Sequence, residues 1–240
     1  MIDYNIIATG SKGNAVVIDQ KILIDCGVSF KALSKVYRAL KLVLLTHIHG
    51  DHFQPTTLRL LAEKRPTLRF ACCAWLCKPL VDAGVPVSQI DVLEPGHMYG
   101  YGICNVRPDM VKHNVPNCGW KVWLKSGKLF YCTDMNNLNG ITAPNYDLYM
   151  VEANYDMQFV NREEPNYEHR LRGHMSLLTA LDFISTNDNP ALRNVVLIHL
   201  SDKSGDPALF KQKTEETVKY GSDVYVAERG LEVDMNLYPF

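Results

Sequence analysis

The residues most able to do chemistry sit in one segment, Leu44-Leu45-Thr46-His47-Ile48-His49-Gly50-Asp51-His52. Three histidines and one aspartate fall within six residues, directly after a short apolar run. In extended backbone, residues two apart point the same way, so His47 and His49 are placed to grip one metal ion. Gly50 permits a tight turn that can send Asp51 and His52 toward a second ion. Neutral imidazole and carboxylate suit zinc and manganese. The bland alternative is a chance cluster in a solvated loop. The strand-like run before it argues otherwise, because strand ends are where α/β proteins build sites.

Two ions need more ligands, and three further residues stand at the ends of apolar runs. His113 follows the run 103–108 after a short connection, Asp134 follows Leu129-Phe130-Tyr131-Cys132-Thr133, and His199 ends Val195-Val196-Leu197-Ile198. Singly, each has an ordinary reading: a surface loop histidine, a helix N-cap and a satisfied core histidine. Beside the His47–His52 segment, coincidence becomes a poor explanation.

These residues must be positioned by strands and helices. Apolar runs bounded by turn signals predict strands over 5–8, 15–19, 22–25, 43–45, 68–72, 90–93, 103–108, 120–124, 129–132, 148–152, 195–199, 223–227 and 231–234. Apolar residues at helical spacing predict a helix over 31–40, carried by Leu33, Val36, Tyr37 and Leu40. Others are predicted to start at Pro55, after Ala74, at Ser176 and over 207–220. Ser176 is an N-cap candidate for Leu177, Leu178, Leu181 and Ile184. Many strands with interspersed helices predict an α/β chain, and periodicity leaves open whether there is one mixed sheet or two.

Composition bounds the class. The 240 residues suit one large domain or two small ones. With 47% hydrophobic and 21% charged residues, the chain is not disordered. A formal net charge of −1 gives no global attraction to nucleic acid, so a phosphate substrate would need a local patch or bound metal. No apolar run approaches a membrane span, and the first residues lack the basic and apolar regions of a secretory signal. Seven cysteines, an odd number without zinc-ribbon spacing, read as reduced structural thiols and point to a reducing cytoplasm.

Several motifs occur in a recognisable order. They are Ala8-Thr9-Gly10-Ser11-Lys12-Gly13-Asn14, Ile24-Asp25-Cys26-Gly27, 46–52, His113 with Pro116 and Gly119-Trp120, and Thr133-Asp134. Glu152-Ala153-Asn154-Tyr155-Asp156, Gly173-His174-Met175-Ser176 and His199-Leu200-Ser201 complete the series. With them the chain resembles the metallo-β-lactamase superfamily, its YycJ/WalJ-like branch and, more distantly, RNase Z and related phosphodiesterases. The resemblance implies a single αββα sandwich domain over 1–240. It assigns His47, His49 and His113 to one ion, Asp51, His52 and His199 to the other, and Asp134 to both. His49 stands where di-iron relatives have glutamate, which favours hydrolytic zinc, with manganese as the other candidate.

On that resemblance, two divalent ions would bring a shared water toward neutral pKa as a hydroxide nucleophile and clamp phosphate oxygens. Asp51, His174 and Glu152 are the candidate catalytic residues. His174 resembles the catalytic histidine of RNase Z-like enzymes, and Glu152 would orient it. The expected activity is a phosphodiesterase, foremost a 5′-exonuclease-like nuclease on nucleic acid. The rivals are a cyclic-nucleotide phosphodiesterase of the phage type and a non-catalytic metal-binding scaffold. A homodimer is expected from the family's habit. The segment 161–172 reads as a solvated loop with a possible substrate role, Lys121, Lys125 and Lys128 as the outer face of a hairpin, and His97 and His169 as bystanders.

Overall fold

The computed structural model describes residues 1–165 and 167–236. The chain divides into two compact units, Met1–Tyr99 with Glu228–Phe240, and Gly100–Ala227.

The first unit carries a seven-stranded mixed sheet. Its strands are β1 (Asp3–Ala8), β2 (Ala15–Ile18), β3 (Ile22–Ile24), β4 (Leu42–Leu44), β5 (Arg69–Cys73), β6 (Ile90–Leu93) and the late strand β14 (Glu232–Asp234). They lie in the order β14-β1-β2-β3-β4-β5-β6. The strands from β14 to β3 pair antiparallel, and those from β3 to β6 pair parallel. Two helices, α1 (Pro55–Lys64) and α2 (Ala74–Asp82), supply the crossovers from β4 to β5 and from β5 to β6. Pro55 opens α1, where its missing N–H costs nothing. Leu58 and Leu61 of α1 and Leu76 and Leu80 of α2 join Val43, Leu45 and Phe70 in one core. Each such burial removes about 1.5–3 kcal/mol of apolar exposure.

The second unit repeats this logic. Strands β7 (Tyr99–Gly100), β8 (Cys104–Val111), β9 (Asn117–Leu124), β10 (Lys128–Cys132), β11 (Leu148–Glu152), β12 (Asn194–Ile198) and β13 (Asp223–Val226) form a second mixed sheet. Their order is β13-β12-β11-β10-β9-β8-β7. The pairs β8–β9 and β9–β10 are antiparallel, and the strands from β10 to β13 are parallel. Every residue of β11 and β12 is buried, which suits the apolar runs Leu148–Val151 and Val195–Ile198 that make up most of them. Helices α3 (Tyr167–Gly173), α4 (Leu177–Asn187) and α5 (Pro207–Glu215) complete the unit. Ser176 caps α4 by accepting from Thr179 N–H, and Leu177, Ala180 and Ile184 enter the core with Tyr149, Val151 and Leu197.

Three local expectations are corrected. The helix expected over 31–40 is a 3-10 turn at Phe30–Leu33 followed by further turns. Bonds such as Val36 N–H to Leu33 O and Ala39 N–H to Val36 O bring residues three apart onto one face, so turns yield the same apolar spacing as a helix. The segment 161–172 is not all loop, because α3 begins at Tyr167 and Arg170 is buried with a 2.9 Å ion pair to Glu164. Within that segment, Asn166 lies outside the described residues. Lys121 is not on an outer face either. It is buried, with its ammonium 2.9 Å from Asp109.

Candidate metal centre

In the first unit, β4 ends at Leu44 and the chain continues into the histidine-rich loop. Thr46, His47 and His52 are buried. Behind them stands Asp25, fully buried and in the left-handed region at φ 58° just after β3. One Asp25 oxygen accepts from Thr46 N–H and Thr46 Oγ1, both at 2.9 Å. The other lies 2.7 Å from His52 Nδ1. Thr46 has one hydroxyl proton and gives it to Asp25, so it accepts from His47 Nδ1 at 2.9 Å. Nδ1–H donation by His47 and by His52 leaves both Nε2 atoms with a lone pair, the tautomer a metal requires.

The donor geometry fits a divalent ion. His47 Nε2 lies 3.2 Å from His49 Nδ1. Two ligands at about 2.0–2.1 Å in a zinc tetrahedron would be roughly 3.3–3.4 Å apart. Asp51 Oδ2 is 3.4 Å from His52 Nε2. Asn14 ties this second pair down, with its Nδ2 2.8 Å from His52 Nε2 and 3.2 Å from the Asp51 carbonyl. Gly27 makes the close approach possible, because a Cβ there would stand 1.7 Å from the Asp51 carbonyl oxygen.

The second unit gathers its candidates around Asp134. This residue follows β10 and is buried, with φ 54°. His199 likewise follows β12 with φ 57°. Left-handed conformations at residues other than glycine cost about 1–3 kcal/mol each and cluster at functional sites. They turn each side chain out of the strand direction. Asp134 Oδ1 lies 3.3 Å from His199 Nε2 and 3.5 Å from His174 Nδ1, and Oδ2 lies 4.0 Å from His113 Nε2. Asn117 Nδ2 holds the loop by donating to the carbonyls of Thr133 and Asp134. Asp134, Glu152, His174 and His199 offer ligand atoms within 4.8 Å of one another.

Glu152, at the end of β11, is fully buried. Its Oε2 accepts from Met135 and Met175 N–H, and its Oε1 lies 2.7 Å from His174 Nδ1. Burial alone would raise its pKa, but the His174 charge and the hydrogen bonds from His174 and His199 hold it below the ordinary value. For His174, burial acts downward, while Glu152 and Asp134 more than reverse it and push the imidazole up to about 9. His174 also stacks on His199, ring centroids 5.3 Å apart and planes 17° apart.

Some functional neighbours were not foreseen. Asp25 and Asn14 sat in the quoted motifs without a role; an aspartate right after an apolar strand was the available signal. Asn154 donates to the His199 carbonyl at 2.8 Å, and nothing local announces that contact across 45 residues. The His169 ring lies 5.7 Å from that of His174. His97 stays in an exposed turn. Six of the seven cysteines are buried, and Cys77 is half-buried. No helix among the described residues is long and apolar enough to cross a membrane.

No curated protein matches the chain. Solved structures do. The metallo-β-lactamase fold protein YhfI from Bacillus subtilis is 16% identical with a TM-score of 0.75, covering 97% of this chain and 98% of that one. The short form of human tRNase Z is 17% identical at 0.70, covering 97% and 99%. A diphosphatase from the PhnP family is 15% identical at 0.67, covering 98% of each. The two mixed sheets with their helices are therefore the α/β metallo-β-lactamase fold. Fold and His/Asp clusters together fit a metal-dependent hydrolase. The family described as "Beta-lactamase superfamily domain" matches residues 20–200, most of the sequence, and the chain belongs to that superfamily.

Proposed function

We propose that the protein is a divalent-metal-dependent phosphodiesterase acting on nucleic acid, in the manner of a 5′-exonuclease. The ligands in this reading are His47, His49, Asp51, His52, His113, Asp134 and His199. Zinc suits the nitrogen-rich set and manganese the carboxylates. When bound, divalent ions supply Lewis-acid stabilisation of phosphate charge and a lowered pKa for water.

The observation that carries the reading is the Glu152–His174 pair beside Asp134. A phosphodiester's leaving alkoxide needs a proton, and an imidazole poised to give one is of little use where the leaving group is already stable. Glu152 binds Nδ1, so Nε2 is the atom that would hold the transferable proton. Residues 167–173 place α3 before this histidine and Ser176 fixes the helix after it, which limits its rotation. The likeness to a tRNase Z and the motif order support the nucleic-acid reading. The formal charge of −1 favours the rival, a small cyclic nucleotide.

An activity panel tests this. Purified protein with zinc or manganese is assayed on 5′-labelled DNA, RNA, cyclic mononucleotides and bis(p-nitrophenyl) phosphate. The proposal expects cleavage of nucleic acid with an affinity that falls steeply with salt. Turnover of cyclic nucleotides alone, insensitive to salt, would transfer the assignment to the rival. Absence of bound metal, with Asp134→Ala indistinguishable from the parent, would leave a scaffold.

A further inference from the structure

Thr46 is where the chain leaves the first sheet. Leu45 N–H bonds the Ala71 carbonyl at 3.1 Å. Thr46 is fully buried, so each of its polar groups must find a partner within the protein. Its N–H and hydroxyl go to Asp25, and the hydroxyl oxygen meets His47 Nδ1. Its carbonyl accepts the indole N–H of Trp75 at 3.2 Å. Trp75 lies in the first turn of α2, directly after β5. It therefore ties the peptide at the start of the histidine-rich loop to α2.

We propose that Trp75 is a positioning residue for the metal-ligand loop and that its indole N–H reports metal loading. This rests on the reading of His47 and His49 as ligands. The Thr46 carbonyl and the His47 nitrogen share one planar peptide unit. Asp25 fixes the N-terminal side of Thr46, and Trp75 fixes that plane. Together they set where His47 starts. A cavity of about 410 Å³, lined by Ile48, Gly50, Phe53 and, from α2 and its end, Pro79, Asp82 and Ala83, lies along the loop. The His49 carbonyl accepts from His52 N–H at 2.9 Å and Phe53 N–H at 2.8 Å, so the far side of the loop is held by its own turn and the near side by the hydrogen bonds at Thr46. A pull on His47 by a bound ion must in turn be felt at the Trp75 N–H.

The test uses the full chain after chelation and dialysis, with zinc as the probe. In ¹⁵N-indole spectra of the parent, one of three tryptophan N–H signals, assigned by its loss in Trp75→Phe, should be protected from solvent exchange and move on zinc addition. Calorimetry should show zinc binding about tenfold weaker in Trp75→Phe, the low end for an outer-shell partner. Trp75→His, which keeps a ring N–H, should recover part of that loss. An indole signal indifferent to zinc, or undiminished affinity in Trp75→Phe, overturns the proposal. The indole measurement needs no substitution, so it decides even if a variant folds poorly. If the parent binds neither zinc nor manganese, the ligand reading itself fails and this inference falls with it.

Discussion

Glu152 Oε1 lies 2.7 Å from His174 Nδ1, and the carboxylate is completely withdrawn from water. Asp25 stands in the same relation to His52, also at 2.7 Å and also fully buried. Each unit thus fixes an imidazole in the same way. A carboxylate at the end of an interior strand is saturated by backbone or hydroxyl donors, and its remaining capacity fixes one imidazole. Burying such a charge is tolerable only because each is met by several donors.

The first consequence is a pH effect in metal-stripped protein. The His174 pKa of about 9 lies above its ordinary 6.5, so the folded state binds this proton more tightly than the unfolded chain. The stability it contributes is complete below 6.5 and disappears as pH rises through about 9. NMR titration should find the high value, and Glu152→Gln should lower it. An unchanged His174 pKa in that variant would contradict the pairing.

His174 itself should matter for chemistry rather than for folding. His174→Ala is expected to slow phosphodiester turnover by about 10²–10⁴-fold, as for a lost general acid. An activated aryl phosphodiester, whose leaving group needs no proton, should suffer much less. Equal losses on both substrates, read as kcat, would remove the acid role.

Asp25 supports the proposed ligand His52 and the loop at Thr46. Asp25→Ala orphans the Thr46 N–H and leaves His52 Nδ1 without its carboxylate, at about 1–3 kcal/mol for each buried group. Thermal melts of metal-free protein should show that loss. Metal content after dialysis should fall as well, with affinity down about 10–100-fold.

At Gly27 the constraint is space. An alanine Cβ would overlap the Asp51 carbonyl oxygen at 1.7 Å, and backbone cannot yield as a flexible side chain does. Gly27→Ala should cost at least about 1–3 kcal/mol, the usual range for overpacking. It should also impair metal retention, because the displaced peptide joins Asp51 to His52. Normal metal content by mass spectrometry in a folded variant would show that the loop can relax without losing its aim.

Thiol chemistry should follow burial. Burial, then the neighbouring Cys77, Cys73 and Asp91, push the Cys72 thiol up to about 12. At pH 8 in native buffer, a disulfide reagent should modify the half-exposed Cys77 first, and Cys72 only on unfolding. Rapid modification of Cys72 in folded protein would contradict this packing.

Much of the local structure was legible in the sequence. Apolar runs located the strands that end at the candidate residues, Pro55 marked the start of α1, and Ser176 marked that of α4. These features depend on backbone sterics and on residues a few positions apart, which a linear reading contains. Where i, i+3 spacing served two conformations, as over 31–40, it misled.

What the tertiary structure decided are the partners. Asp25 meets His52 across 27 residues, Glu152 meets His174 across 22, and Asn154 meets His199 across 45. No periodicity encodes those separations. They arise from strand order, which sets β3 beside β4 in one sheet and β11 between β10 and β12 in the other. The histidines and aspartates could be named from their spacing alone. Which nitrogen each imidazole presents, and which carboxylate compels it, depended on chain segments that only folding brings within hydrogen-bond distance.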